Sequence, residues 1–358
     1  MRMSIIGLGF AGKTTFFQIL TKHGMKGSLS GKKGATIGTV FVPDPRLDRL
    51  TATYNPKKQV NASIEFIDTP SLSAEGSGKS FSSAALEEVR RADTLCLIIH
   101  AFESESYPHP MGSTDGPRDL DFIISEFILN DLMVLEQRAQ KLRKLTRIAK
   151  QDSEVRELAA VEKAIEALNA ETPLRDVELS EQEQAALSAY QLISMKPLLV
   201  VLNVNESQVA EMDIIPQQIA TQYRGLTFMA MCAELELELA DMEPNDATEF
   251  MADLGIHEPA FQRIIRACFE VMGLRVFFTV GDDECRAWPI PRNMTAFDSA
   301  GQIHSDIQRG FIRAMVMPYS QFDAAPEEGT FKANAVQQRK DYIMQDGDIV
   351  NFLFNVSK

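Results

Sequence analysis

The stretch IIGLGFAGKTTFF, running from Ile5 to Phe17, decides the fold, and it can be parsed in two ways. Gly7, Gly9 and Gly12 spell GxGxxG, the dinucleotide fingerprint of a Rossmann unit. Gly7, Gly12, Lys13 and Thr14 spell GxxxxGKT, the phosphate loop of a mononucleotide hydrolase. Either parse sets a glycine turn between a strand and a helix, so that backbone N–H groups face a phosphate. A Rossmann unit also needs an Asp or Glu about 20 residues past the glycines, for the ribose hydroxyls. None is there, since the first acidic residue of the chain is Asp44. Lys32 and Lys33 could still hold a 2′-phosphate, which leaves an NADP-dependent oxidoreductase as a distant alternative. The mononucleotide parse uses two more letters: Lys13 supplies a cation for the β- and γ-phosphates, and the Thr14 hydroxyl is a Mg2+ ligand.

A phosphate loop needs partners further along the chain. Ile64-Glu-Phe-Ile-Asp68 reads as a strand ending in a carboxylate suited to Mg2+, and Thr36 and Thr39 lie in a Gly/Lys-rich loop suited to a switch segment. One of the two is expected to reach the metal, Thr36 standing for it in the metal set and Thr39 being the alternative. Guanine-specific enzymes of this type carry NKxD after a strand, whose Asp takes two adjacent guanine donors. Here the strand Leu198–Leu202 ends in Asn203-Val-Asn-Glu206. Adenine pairs an acceptor at N1 with a donor at N6 and has no use for such a grip, so NVNE weakens the guanine reading.

Bulk properties narrow the class. A chain of 358 residues is long for one core and predicts two or three domains. Its 45% apolar and 24% charged content is that of ordinary globular proteins, and no apolar run approaches the ~20 residues of a membrane helix. The N-terminal apolar stretch leads into GKT rather than a cleavage site, so a cytoplasmic protein is expected. Cys96, Cys232, Cys268 and Cys285 are scattered and read as reduced packing thiols. A formal net charge of −14 argues against broad nucleic-acid binding, though not against a local basic contact.

Patterning gives the organisation. Ser4–Ile6, Thr39–Val42, Ser63–Ile67 and Leu95–Ile99 read as strands, several without polar alternation and hence buried on both faces. A helix ends at Lys22-His23-Gly24, with basic residues and a glycine cap. From about Asp119 to Ala170 the pattern is helical and charged. Leu132, Leu135, Ala139 and Leu142 follow 3-4-3 spacing, as do Leu158, Val161, Ile165 and Leu168, with a turn at Lys150–Ser153. Ser180-Glu-Gln-Glu183 is a capping box that starts a third helix. Strands resume at Pro197–Leu202 and Leu226–Met231. A final α+β region from about Leu274 is bracketed by strands at Arg275–Val280 and Ile349–Phe354, with a turn at Gln345–Asp348. Arg138, Lys141, Arg143, Lys144, Arg147 and Lys150 spread around the first hairpin helix, a solvated tip or an RNA contact. Trp288, the only tryptophan, is expected in a core.

These residues resemble the YchF family of Obg-like ATPases over almost the whole chain. The resemblance rests on the phosphate loop, Pro43-Asp-Pro-Arg-Leu-Asp48, Glu65-Phe-Ile-Asp68, Asn203-Val-Asn-Glu206 and Cys232-Ala233. It continues through Arg286-Ala-Trp288, Ile303-His-Ser-Asp306, Gly310–Ala314 and the ending Asp341–Val356. It implies an α/β P-loop NTPase core with a mostly parallel sheet (1–118 and 196–273), an inserted helical hairpin (119–195) and a C-terminal β-grasp, ubiquitin-like TGS domain (274–358). It also implies ATP favoured over GTP, and a ribosome, rRNA or stress-related role through the hairpin and TGS domain, with no membrane partner. The implied nucleotide contacts are Gly9, Phe10, Ala11, Gly12, Lys13, Thr14, Thr15, Asn203, Glu206, Cys232 and Ala233. The implied Mg2+ set is Thr14, Thr36 and Asp68.

The family carries a hydrophobic residue in place of the usual catalytic glutamine, here Leu72, and its suggested substitute is a loop histidine, here His109. Three departures stand out. The family's DxxG is Asp68-Thr-Pro-Ser71, and serine beside proline restricts a backbone that glycine leaves free. Phe10 replaces an asparagine that helps bind a stimulating potassium ion; a phenyl ring offers a cation no oxygen, so potassium dependence is in doubt. The switch loop before Pro43 is about four residues shorter than the family's. A slow ATPase is the first expectation, and a nucleotide-binding scaffold without efficient hydrolysis the second.

Overall fold

The computed structural model describes residues 1–24, 30–32, 35–72, 81–148, 151–223, 225–327 and 329–355. In chain order the first strands are β1 (Arg2–Ile6), β2 (Ser30–Lys32), β3 (Ala35–Phe41), β4 (Lys58–Val60), β5 (Ser63–Asp68), β6 (Thr94–His100), β7 (Leu198–Asn203) and β8 (Thr227–Met231). All but β4 join one sheet in the order β2-β3-β5-β1-β6-β7-β8. From β5 to β8 every pairing is parallel, and β2 lies antiparallel to β3 at one edge. A parallel strand covered by helices on both faces needs apolar side chains at every position, not every second one. That explains Thr94-Leu-Cys-Leu-Ile-Ile-His100 and Leu198-Leu-Val-Val-Leu-Asn203, in which every residue is buried.

Helix α1 (Lys13–Gly24) follows β1 directly, and its first turn carries no acidic residue, which leaves the positive end of its dipole for an anion. Next come α2 (Pro45–Tyr54), α3 (Ser83–Arg91), α4 (Gly116–Ile148), α5 (Asp152–Asn169) and α6 (Glu181–Ser188). The hairpin seam of α4 and α5 is the expected one. Leu135, Ala139, Leu142, Val161 and Leu168 are buried in one cluster, with Leu132, Leu158 and Ile165 packed against it. Of the turn expected at Lys150–Ser153, Gln151 precedes α5, Asp152 and Ser153 already belong to that helix, and Lys150 lies outside the described residues. The capping box forms as expected, Glu183 N–H donating to Ser180 Oγ and Ser180 N–H donating to Glu183 Oε2. Asp131, buried in α4, accepts from the N–H groups of Ile193 and Ser194 at 2.9 and 2.7 Å, which fixes the chain as it returns toward β7.

The chain forms two compact units, Met1–Gly38 with Glu65–Ile264, and Thr39–Ile64 with Ile265–Lys358. Residues 39–64, assigned from sequence to the nucleotide-binding domain, lie in the second unit. There β9 (Leu274–Thr279), β10 (Glu284–Pro291), β11 (Phe311–Pro318), β12 (Val336–Gln338) and β13 (Asp348–Phe354) join β4 in a mixed sheet ordered β12-β11-β13-β9-β10-β4. The sheet packs on helix Ala296–Ile303 through Phe277, Ile290, Val316 and Phe352 against Ala296 and Ala300. Trp288 is only partly buried against this cluster, with the Arg286 guanidinium 4.0 Å from its ring centroid. Pro43–Asp48 works structurally here. Asp44 caps α2 by accepting from Arg46 N–H, Pro45 takes the first turn, and Arg46 pairs with Asp44 and Asp346 at 2.8 and 2.6 Å. All four cysteines are buried thiols. No described helix is long and apolar enough to cross a membrane.

Candidate functional site

The loop between β1 and α1 can form only because two side chains are missing. A Cβ on Gly7 would stand 2.4 Å from the Ile98 carbonyl oxygen of β6, and one on Gly12 would stand 2.4 Å from Asn203 Nδ2. Gly12 also has φ +90°, a backbone region that side chains disfavour. Phe10 sits at φ +58° between them, an unusual place for an aromatic residue. Above this loop lies a cavity of about 660 Å3. Gly9 through Thr15 form its floor, Ser71 one wall, and Phe102, Tyr107, Asn203, Ala233, Glu234 and Leu237 the rest.

Charged groups meet at the helix end of the cavity. Lys13 is 6% exposed, and its Nζ donates to Leu8 O at 2.9 Å and to Ser71 Oγ at 3.0 Å. Burial lowers its pKa to about 8, against the pull of the Asp68 charge. Thr14 Oγ1 donates to Asp68 Oδ2 at 3.1 Å, and burial raises the Asp68 pKa despite Thr14 and Lys13. The other oxygen, Asp68 Oδ1, is buried without a hydrogen-bond partner among the described residues. A hydroxyl and a carboxylate with one orphaned oxygen are the hard donors that suit Mg2+. The segment that follows is tied to the end of β1, Thr69 N–H donating to Ile5 O at 3.4 Å and Leu72 N–H to Gly7 O at 3.1 Å. Leu72 is fully buried in the core.

Asn203 holds the opposite end together. Its Nδ2 donates to Ala11 O at 3.1 Å and its Oδ1 accepts from Ala233 N–H at 3.0 Å, so one buried amide ties the phosphate loop to the start of the helix after β8. Of the expected nucleotide contacts, Gly9 through Thr15, Asn203 and Ala233 line the cavity, whereas Glu206 and Cys232 do not. Glu206 is exposed in a short 3-10 helix, and Cys232 is buried. Of the expected metal set, Thr14 and Asp68 meet. Thr14 alone of the three is part of the lining, and Thr36 lies within β3 opposite Gly31.

His109 does not line the cavity. Its side chain is 4% exposed; Nδ1 accepts from Met111 N–H at 3.1 Å, which places the ring proton on Nε2, 2.7 Å from Asp119 Oδ2. Arg118 holds the same carboxylate at 2.7 Å and the Ser113 carbonyl at 2.6 Å, so the loop is fastened to the first turn of α4. The His100 ring lies 4.8 Å from the His109 ring at a tilt of 40°, and burial, with the neighbouring His109, lowers its pKa to about 4. Phe102, Tyr107, Glu234 and Leu237 are lining residues without a sequence signal, because only tertiary structure brings the loop after β6 and the helix after β8 to the phosphate loop. Ser71 did have a signal, as a serine in a glycine's place.

The chain resembles known proteins over almost its whole length. Residues 274–355 match the family model YchF-GTPase_C, described as "Protein of unknown function (DUF933)". The chain is 34% identical over 368 aligned positions to the "Ribosome-binding ATPase YchF" of Haemophilus ducreyi, covering 99% of each chain. It is also 34% identical over 361 positions to the protein of that name from Bacillus subtilis, covering 98% of each. Among solved structures, the Schizosaccharomyces pombe YchF GTPase superposes with a TM-score of 0.86 at 26% identity, over 99% of this chain and 97% of that one.

Proposed function

The chain belongs to the YchF family, and from that premise we propose that it is a slow, ribosome-associated ATPase that binds its nucleotide in the cavity over Gly9–Thr15. The observation that carries this reading is the convergence of Lys13, Thr14, Asp68 and Ser71 at the unopposed positive end of α1. Lys13 contacts the β- and γ-phosphates, and the backbone of Gly9–Thr15 wraps them. Thr14 and Asp68 would hold Mg2+, which neutralises phosphate charge when bound. ATP is favoured over GTP. The acid of NVNE, Glu206, is exposed and outside the lining, so that segment presents no carboxylate to the two adjacent guanine donors.

Hydrolysis is slow because the groups that could orient water are engaged elsewhere. Leu72 is in the core, and His109 would have to leave Asp119 to act on a water molecule. The same engagement favours a second reading, a nucleotide-binding scaffold without efficient turnover. The ribosomal contact is assigned to the hairpin and the 274–358 region, in a cytoplasmic protein. On α4, Arg138 and Arg143 are paired with Glu157 and Glu162, which leaves exposed Lys141, Lys144 and Arg147 for RNA phosphates. Titration of ATP, GTP and NADPH, with phosphate release followed with and without potassium, tests the function. Tight ATP binding with slow release supports it; binding without release moves it to the scaffold; preference for GTP or NADPH sinks it.

A further inference from the structure

Ser71 is where this chain parts from its family's glycine, and it points at the cavity. Asp68-Thr-Pro-Ser-Leu72 has few backbone donors left to offer there. The Thr69 N–H is spent on Ile5 O, Pro70 has none, and the Leu72 N–H is spent on Gly7 O. Ser71 keeps the backbone N–H that a glycine would bring, and adds to this pinned segment one hydroxyl that a glycine lacks. That hydroxyl accepts a hydrogen bond from Lys13 Nζ at 3.0 Å and lines the cavity. A serine hydroxyl has one O–H to donate besides the lone pairs it accepts with, and an ammonium has three donors. Lys13 spends two, on Leu8 O and Ser71 Oγ, so one donor of Lys13 and the hydroxyl hydrogen of Ser71 remain side by side. Two adjacent donors, one of them cationic, match the oxygens of a phosphate group, and hydrogen bonds to an ionised acceptor are the strong ones.

We propose that Ser71 recognises the terminal phosphate of a bound nucleoside triphosphate, donating its hydroxyl hydrogen to a terminal oxygen while its own oxygen accepts from Lys13, and so lets the site tell triphosphate from diphosphate. The inference rests on the cavity being a nucleoside-triphosphate site. A diphosphate leaves the Ser71 hydroxyl without its acceptor, so the contribution of Ser71 falls on triphosphate affinity alone.

The test is calorimetric titration of a non-hydrolysable ATP analogue and of ADP, both with Mg2+, into the full-length wild-type, Ser71→Ala and Ser71→Thr proteins, each checked for an unchanged melting temperature. Ser71→Ala weakens the analogue about tenfold and ADP by less than about twofold, and Ser71→Thr, which keeps the hydroxyl, restores the analogue. Equal weakening of both ligands, no change in either, or a Thr variant as poor as Ala overturns the assignment. A wild-type protein that binds neither ligand overturns the nucleotide reading itself. Wild-type binding that Ser71→Ala leaves untouched overturns only the role of Ser71.

Discussion

The two ends of the cavity are built on different principles. At the Lys13 end, polar groups meet as functional groups: an ammonium against a hydroxyl, a hydroxyl against a carboxylate, and one carboxylate oxygen left unpaired. At the Asn203 end, a buried amide is committed to two backbone groups, Ala11 O and Ala233 N–H, and works first as a strut. One end keeps its donors for a ligand; the other uses them to hold two loops in place. Phosphate binding and base selection are therefore separable properties in this chain.

The largest effect expected from that contrast is at Lys13. Lys13→Ala removes a desolvated cation whose interaction with phosphate is not screened by water, and ATP affinity is expected to fall by at least about 100-fold. The melting temperature should move little, since a buried charge contributes little net stability. Calorimetric titration and thermal melting check both. A variant that binds ATP normally would break the contrast at its functional end.

Asn203→Ala should show the reverse balance. It strands Ala11 O and Ala233 N–H, each a buried backbone group, and is expected to cost about 2 kcal/mol, read as a drop of several degrees in melting temperature. ATP and GTP should weaken by the same factor. The amide retains one N–H for the ligand, and N7 is an acceptor in both purines. A change in the ATP-to-GTP ratio would make Asn203 a reader of the base rather than a strut.

The difference between the ends also explains what the sequence could tell. The Lys13 end is local: Gly7 to Thr14 is one loop, and Asp68 ends a strand whose pattern is plain. The all-apolar β6 and β7, the 3-4-3 seam of the hairpin and the capping box at Ser180 are equally local and were legible. The Asn203 end joins three segments across 11–233, and no spacing rule connects them. The place of residues 39–64 was hidden for the same reason. Lys58-Gln-Val60 has no strand pattern of its own and becomes β4 only by pairing with Glu284–Arg286 of β10. His109 read as a free loop residue because its partner, Asp119, reaches it only once the loop folds back on α4.

Phe10 lies on the rim between the two ends, 58% exposed and 6.3 Å from the Tyr107 ring. Its φ of +58° is costly for a phenylalanine and less so for asparagine, whose short polar side chain tolerates that region. Phe10→Asn is therefore expected to stabilise the protein by about 1 kcal/mol, or roughly 2–4 °C in melting temperature. If the same variant gains potassium-stimulated phosphate release, the missing side-chain oxygen is what separates this loop from the family's. An unchanged melting temperature would mean that contacts of the phenyl ring offset the strain.

The smallest effect is expected at Glu206, and it gives the sharpest reading of the Asn203 end. Its carboxylate is exposed in the first turn of a short 3-10 helix, where it gains a few tenths of a kcal/mol from the helix end. It lies outside the cavity lining, so Glu206→Ala should leave the affinities for ATP and GTP each within about threefold and keep their order. Side-by-side titration of the two nucleotides decides the matter. If the preference for ATP collapses in the variant, Glu206 reaches the base in the bound state, and the loop after β7 selects the nucleotide as well as bracing the cavity. If the preference survives, selection lies in the wall formed by Ala233, Glu234 and Leu237.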